Sequence, residues 1–316
     1  MAVASVAVAL IPLAAKNIVT LFLICIIIGA SEYCLASLVD CWCIKLSEKH
    51  PVNFGMGRAV GSLGYAITAL IFGYIFARMD MQITFYMHFI ACAICLILIL
   101  KTEGVPPIKG EAVVQKKKST FGKDVCVLLK NRQYVIFVLC AAMTFIGSSA
   151  TISFLSSLLE LRGGTAEHLG YALFIQAGFE VPFMLMSAWL IKKFNIKFLL
   201  VFAFFAYIIK YLAPALMPSV WGIILVQSLQ GISFGIFLPA AMKYLALISP
   251  EGLKGTATTL AVAVYVGIGN IAGNAIGGLI ADNLGVQMVY ILSAILACCS
   301  AVIFLLFGFS RKSAIE

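Results

Sequence analysis

About nine apolar runs, each long enough as a helix to cross a bilayer, dominate this chain. They fall at roughly 17–45, 56–78, 82–101, 133–159, 168–192, 197–217, 219–247, 255–281 and 286–309. One more apolar stretch, 2–15, is too short to cross about 30 Å of hydrocarbon at 1.5 Å per residue. In lipid only helices or closed barrels satisfy their own backbone groups, and the runs show no period-2 alternation. They therefore read as helices packed on one another, an all-α membrane protein. The overall balance agrees: 63% of the 316 residues are hydrophobic and 11% charged, against roughly half and a quarter in soluble domains. The ten cysteines do not imply a disulfide scaffold. Most, such as Cys25, Cys140 and Cys298, lie within the apolar runs, where a thiol acts as a small hydrophobe.

Residues 102–132, "TEGVPPIKGEAVVQKKKSTFGKDVCVLLKNR", break the pattern with Pro-Pro, three consecutive lysines and a weakly amphipathic stretch after Phe121. They read as a basic cytoplasmic linker between an N-terminal part, 1–101, and a six-helix half, 133–316. If the linker is cytoplasmic, alternating the loops puts seventeen of the 22 basic residues on that side, including Lys192, Lys193, Lys197 and the C-terminal Arg311 and Lys312. Lys16, Arg78 and Arg162 fall on the other. The positive-inside bias then sets the orientation, with the linker and C-terminus cytoplasmic in a cell inner (plasma) membrane.

A charge near the bilayer centre costs roughly 2.5–3.5 kcal/mol on insertion scales, so those retained there mark pathways or sites. Lys243 lies near the cytoplasmic end of its span and can snorkel to water. Asp40 and Arg58 sit on consecutive antiparallel spans at similar depth. They form either a structural ion pair or part of a wet cavity that binds a polar solute. The helical period puts Ser62 and Tyr65 on the face of Arg58, and Glu32 and Ala36 on the stripe of Asp40. Glu180 stands near mid-membrane, about 18 Å from the outer end of its span, and is followed by Val181-Pro182. Lys210, on the next span, lies only about 10 Å from that end, so direct pairing is marginal and a bridging water or substrate group fits the gap better. Gln227 and Gln230 add two amides one turn apart on the following span.

"FGMGRAVGSLGY", together with the preceding Asp40, resembles the lactose permease branch of the major facilitator superfamily, the sugar- and nucleoside-proton symporters. In that branch a carboxylate and an arginine at this spacing bind the sugar, and an aromatic seven residues on stacks against it. The resemblance places these roles on Asp40, Arg58 and Tyr65, with the small sugar-facing residue at Ala36. Asp40 replaces a glutamate there and Tyr65 a tryptophan. "YIIKYLAPAL" resembles helix nine, with Lys210 in place of an arginine. "VQSLQGISFGIFLPAAMKY" resembles helix ten, whose lysine, histidine and glutamate become Gln227, Gln230 and Ser233. A serine cannot take over that glutamate's part in proton handling, and Glu180 is the candidate protonation site instead. "SAWLIKKFNIKFLL" and "GGLIADNLG" resemble degenerate forms of the superfamily's loop motif.

The resemblance implies a twelve-helix bundle of two six-helix halves, of which this chain carries helices three to twelve, with the first two and a half missing. It implies a secondary active transporter, a proton-coupled symporter of a sugar or nucleoside-like solute working by alternating access as a monomer. The alternative is a truncated remnant or membrane sensor that binds solute without moving it. His50, His88 and His168 lie at span edges or loops and assemble no metal or nucleophile–base set, so neither an enzyme, a metal nor a cofactor is expected. The expected partners are a small polar solute, protons and the lipid bilayer, and no nucleic acid.

Overall fold

The computed structural model describes residues 2–14, 17–31, 54–79, 83–101, 121–250 and 252–308. All the regular elements among them are helices. In chain order these are α1 (Ala2–Ala9), α2 (Ile11–Ala14), α3 (Ile18–Ser31), α4 (Phe54–Phe76), α5 (Ile83–Lys101) and α6 (Phe121–Lys130). There follow α7 (Arg132–Ser153), α8 (Leu155–Glu160), α9 (Ala166–Lys193), α10 (Ile196–Leu216), α11 (Val220–Val226) and α12 (Leu229–Ile248). The last three are α13 (Lys254–Val262), α14 (Gly269–Leu284) and α15 (Val286–Phe307), with a π-helical stretch, Ala263–Ile268, joining α13 to α14.

Among the described residues, seven helices are long and apolar enough to cross a membrane, at Ala59–Phe76, Arg132–Ser153, Ala166–Lys193, Ile196–Leu216, Val220–Ile248, Lys254–Leu284 and Val286–Phe307. Within the runs expected at 17–45 and 82–101, the described residues include the apolar helices Ile18–Ser31 and Phe85–Lys101. The amphipathic stretch after Phe121 is helical, as α6.

The chain divides into two compact units, Met1–Gly57 with Ile75–Gln115, and Arg58–Tyr74 with Lys116–Glu316. In the first, α1 packs on α5, and Ala7 and Ile24 bury against Ile11 and Ile28.

The second unit holds the larger core. Its helices neighbour one another in the order α9, α12, α10, α15, α7, α14. Short, capped joints fix where these helices begin. Asn131 accepts from Gln133 N and Tyr134 N at 3.1 and 3.3 Å to start α7, and its amide donates to the Ile248 carbonyl at 2.7 Å, tying that start to the end of α12. Gly163 takes φ 79°, a conformation that costs a side chain little only when there is none, and turns the chain from α8 into α9. The His168 ring then accepts from Thr165 N at 3.1 Å, satisfying a donor at the start of α9. Asn195 caps α10 through Lys197 N at 2.9 Å.

Between these ends, one cluster of aromatics fills the centre: Phe137 lies 5.2 Å from Tyr244 and Phe204 5.4 Å from Phe304, ring centre to ring centre. A second apolar cluster gathers Leu155, Leu158, Ile223 and Tyr290. Lys210 stands near Tyr207 and Tyr211 of the first and lines a cavity together with Leu155 and Tyr290 of the second, and the candidate site is built around it.

Candidate functional site

Glu180 lies near the middle of α9, and two close helix approaches bring its neighbours to it. Where α12 crosses α9, a Cβ on Gly231 would run into the Phe179 carbonyl and come within 2.6 Å of the Phe183 ring, and one on Gly235 would stand 3.0 Å from Phe183 Cβ. Small residues of this kind let helix backbones meet in a membrane, where lipid supplies no hydrophobic push between helices. Gln230, beside Gly231, is thereby carried up to the acid. On the other side α4 approaches α9 through Gly73 and Gly170. A Cβ on Gly170 would lie 2.8 Å from Gly73 Cα and 2.9 Å from the Ala69 carbonyl. About three turns further along the pair, Ser62 meets Glu180.

The result is a hydrogen-bonded chain across four helices, α4, α9, α12 and α10. Ser62 Oγ donates to Glu180 Oε2 at 3.1 Å, and Gln230 Nε2 donates to Glu180 Oε1 at 2.8 Å. At the far side of the amide, Lys210 Nζ donates to Gln230 Oε1. The amide thus shows its N–H to the carboxylate and its carbonyl to the ammonium, the arrangement its dipole favours. Glu180, Lys210 and Gln230 are 9, 6 and 7% exposed, so these are charge-assisted bonds in a poorly hydrated place, each worth about 1.5–3 kcal/mol. Lys210 Nζ also stands 5.8 and 5.9 Å from the ring centres of Tyr207 and Tyr211, whose π-faces attract a cation.

The gap between Glu180 and Lys210, expected to hold a water or substrate group, is instead bridged by the side chain of Gln230. What the sequence did not disclose is how the chain bends to place it. Between α11 and α12, Gln227 N, Ser228 N, Gln230 N and Gly231 N donate to carbonyls three residues back, at 3.0–3.2 Å. This is a tight 3₁₀-type turn inside a span that reads as one helix. Gln227, on the near side of that turn, does not join the chain; its Nε2 donates to the Ile223 carbonyl at 3.3 Å. Ser233 donates to the Leu229 carbonyl of its own helix at 2.9 Å. Tyr65 is 51% exposed and also takes no part in the chain. Ala36, Asp40 and the side chain of Arg58 lie outside the described residues.

Beyond Lys210 lies a small cavity of about 10 Å³ lined by Thr151, Ile152, Leu155, Gln176, Lys210, Gln227 and Tyr290. Gln176 is the functional candidate that sequence reasoning missed. It lies four residues before Glu180 on the same helical stripe, and that spacing was the available signal.

A family model described as the MFS_1 like family matches residues 1–292. The chain belongs to the MFS_1 like family. Membership makes it a multi-pass membrane transporter rather than an enzyme. It is 26% identical to the maltose permease of Geobacillus stearothermophilus over 291 residues, covering 92% of this chain and 72% of the permease. It is 24% identical to the sucrose permease of Escherichia coli over 304 residues, 92% of this chain and 71% of that protein. Its fold is similar to the crystal structure of the nucleoside transporter NupG, with a TM-score of 0.78 and 17% identity over 97% of this chain and 82% of that one. The bundle described above is accordingly an all-α major facilitator fold.

Proposed function

We propose that this MFS_1 like chain is a secondary active transporter that moves a sugar- or nucleoside-like solute together with protons by alternating access, as a monomer in the plasma membrane with the basic linker, 102–132, and the C-terminus facing the cytoplasm. The observation that carries the reading is the buried chain Ser62–Glu180–Gln230–Lys210. A carboxylate held in a low-dielectric site by the hydrogen bonds of Ser62 and Gln230 is an expensive feature unless its charge is used, and charge that comes and goes with a proton is a use suited to a transporter. Similarity to permeases of maltose and sucrose, and in fold to a nucleoside transporter, supports a polyhydroxylated solute. Asp40, Arg58, Ala36 and Tyr65 are the proposed solute contacts on the N-terminal side, with Lys210, Gln227, Gln230 and Ser62 on the other. Glu180 is the proposed proton carrier.

The test is uptake of radiolabelled sugars and nucleosides into proteoliposomes with an imposed pH gradient. Uptake that ignores the gradient would remove proton coupling, and saturable binding without uptake would leave a sensor. Asp40→Asn and Arg58→Gln each abolish solute binding if they form the site. Glu180→Gln abolishes the response to pH while leaving solute exchange intact.

A further inference from the structure

The cavity beside Lys210 has a chemistry of its own. Six elements converge on it: Thr151 and Ile152 from α7, Leu155 from α8, Gln176 from α9, Lys210 from α10, Gln227 after α11 and Tyr290 from α15. Its volume, about 10 Å³, admits one oxygen-sized group. Around that space the polar side chains have bonds to spare. Gln176 is 6% exposed, and its amide meets no hydrogen-bond partner among the described residues. Lys210 has three N–H donors and spends one, on Gln230. Gln227, 4% exposed, spends one N–H on the Ile223 carbonyl and keeps its own carbonyl free. Tyr290 and Thr151 have given their hydroxyl protons away, to the carbonyls of Thr151 at 2.6 Å and Gly147 at 2.8 Å, so each offers lone pairs only.

Buried polar atoms in native proteins almost always find partners, so an idle amide next to an under-used ammonium points to a ligand. The inventory also selects its type. The ammonium and the Gln176 N–H groups need an acceptor, while the carbonyls of Gln176 and Gln227 and the lone pairs of Thr151 and Tyr290 need a donor. A halide only accepts, a metal ion would meet the ammonium's repulsion, and an apolar group satisfies nothing. A hydroxyl both accepts and donates and is the right size.

We infer that this cavity is a subsite for a single hydroxyl group of the solute, with Gln176 and Gln227 as the residues that read it. The inference rests on the solute-transport reading above. Lys210 is the link between the two: one N–H belongs to the chain that ends at Glu180, the others to this subsite, so a hydroxyl seated here bonds to the same ammonium that the chain holds.

The experiment measures binding of tritiated maltose, sucrose and uridine to the full chain in nanodiscs, then competition by the monodeoxy derivatives of whichever binds. For wild type, one deoxy position is expected to bind about 10- to 100-fold more weakly than its parent, the range set by losing a hydrogen bond to a charged or amide group. Gln176→Leu is expected to weaken the parent about tenfold and to erase discrimination at that one position alone. Gln227→Met should do the same, and serves if Gln176→Leu does not give a monodisperse protein. A Gln176→Leu protein that keeps both the parent's affinity and the full deoxy profile overturns the inference, the cavity then holding water only. So does a wild type that tolerates removal of every hydroxyl. Absence of saturable binding by any of the three probes to folded wild type is a different failure, since it defeats the transport reading itself and takes the subsite with it.

Discussion

Replacing Gln230 by methionine keeps the length of the side chain and removes both of its polar ends. Two charge-assisted hydrogen bonds are lost at once, from Lys210 and to Glu180, a gross cost of about 3–6 kcal/mol. Some returns, because an amide no longer has to be buried, a saving of about 1–3 kcal/mol. The net expectation is a loss of about 2–4 kcal/mol, of the size seen when a buried charge is stripped of its partner. The amide also transmits coupling between the charges. Glu180→Gln and Lys210→Met should therefore show an interaction energy of about 1–2 kcal/mol in a double-mutant cycle, and less than about 0.5 kcal/mol when the cycle is repeated on Gln230→Met. The assay is reversible denaturation in mixed SDS and mild-detergent micelles, followed by tryptophan fluorescence. A Gln230→Met protein as stable as wild type within about 0.5 kcal/mol, or an undiminished coupling, would mean that the two charges do not communicate through the amide.

The buried tyrosines offer a paired comparison. The hydroxyls of Tyr207 and Tyr265 are buried without a hydrogen-bond partner, so phenylalanine at either position should be neutral or stabilising by up to about 1 kcal/mol in the same micelle denaturation. Tyr134 and Tyr290 donate to the carbonyls of Ala257 at 2.9 Å and Thr151 at 2.6 Å, and there phenylalanine should cost about 1–3 kcal/mol, because a buried acceptor is orphaned. Gly231→Ala should be worse than Gly235→Ala by at least about 1 kcal/mol, since its methyl group would overlap the Phe179 carbonyl whereas that of Gly235 would stand 3.0 Å from Phe183 Cβ, a tight contact but not an overlap. In proteoliposomes Gly231→Ala should also lose solute uptake, while Gly235→Ala retains it. Asn131→Ala should cost about 1 kcal/mol through the lost cap at α7 and release the tie to Ile248, seen as faster hydrogen exchange at the end of α12.

Apolar length made the spans readable, because in lipid every helix must carry its own hydrogen bonds and so announces itself as an unbroken run. The depths of Glu180 and Lys210 were readable for the same reason, at 1.5 Å of rise per residue, and they led to the expectation of a water or substrate group between them, where an amide side chain stands instead. The identity of the bridge was not, since Gln227 and Gln230 look alike in a helical projection. Only the 3₁₀-type turn between them sends one to the acid and the other to the cavity. Gln227 and Ser228, the two residues between α11 and α12, are neither glycine nor proline, so no local signal marks the turn. Ser62 reads as sharing a stripe with Arg58 and Tyr65, yet its partner lies 118 residues away, a pairing set by the Gly73–Gly170 approach and invisible to local pattern. Gln176 was missed because an amide in an apolar run reads as an ordinary interhelical hydrogen bond until its partner is found to be absent.

The π-helical stretch Ala263–Ile268 carries one more consequence. Such a stretch accommodates one surplus residue within an α-helix while the turns on either side keep their angular phase. Ala257 and Ala261 before it, and Gly269, Gly273 and Gly277 after it, are buried at intervals of four with Tyr265 at the centre. Shortening the span by one residue inside 263–268 would leave the three glycines aimed at α7. The same deletion within α14 would swing whatever follows by about 100°. This span therefore has one point at which its length can change without misdirecting its packing face, and it lies beside the aromatic core.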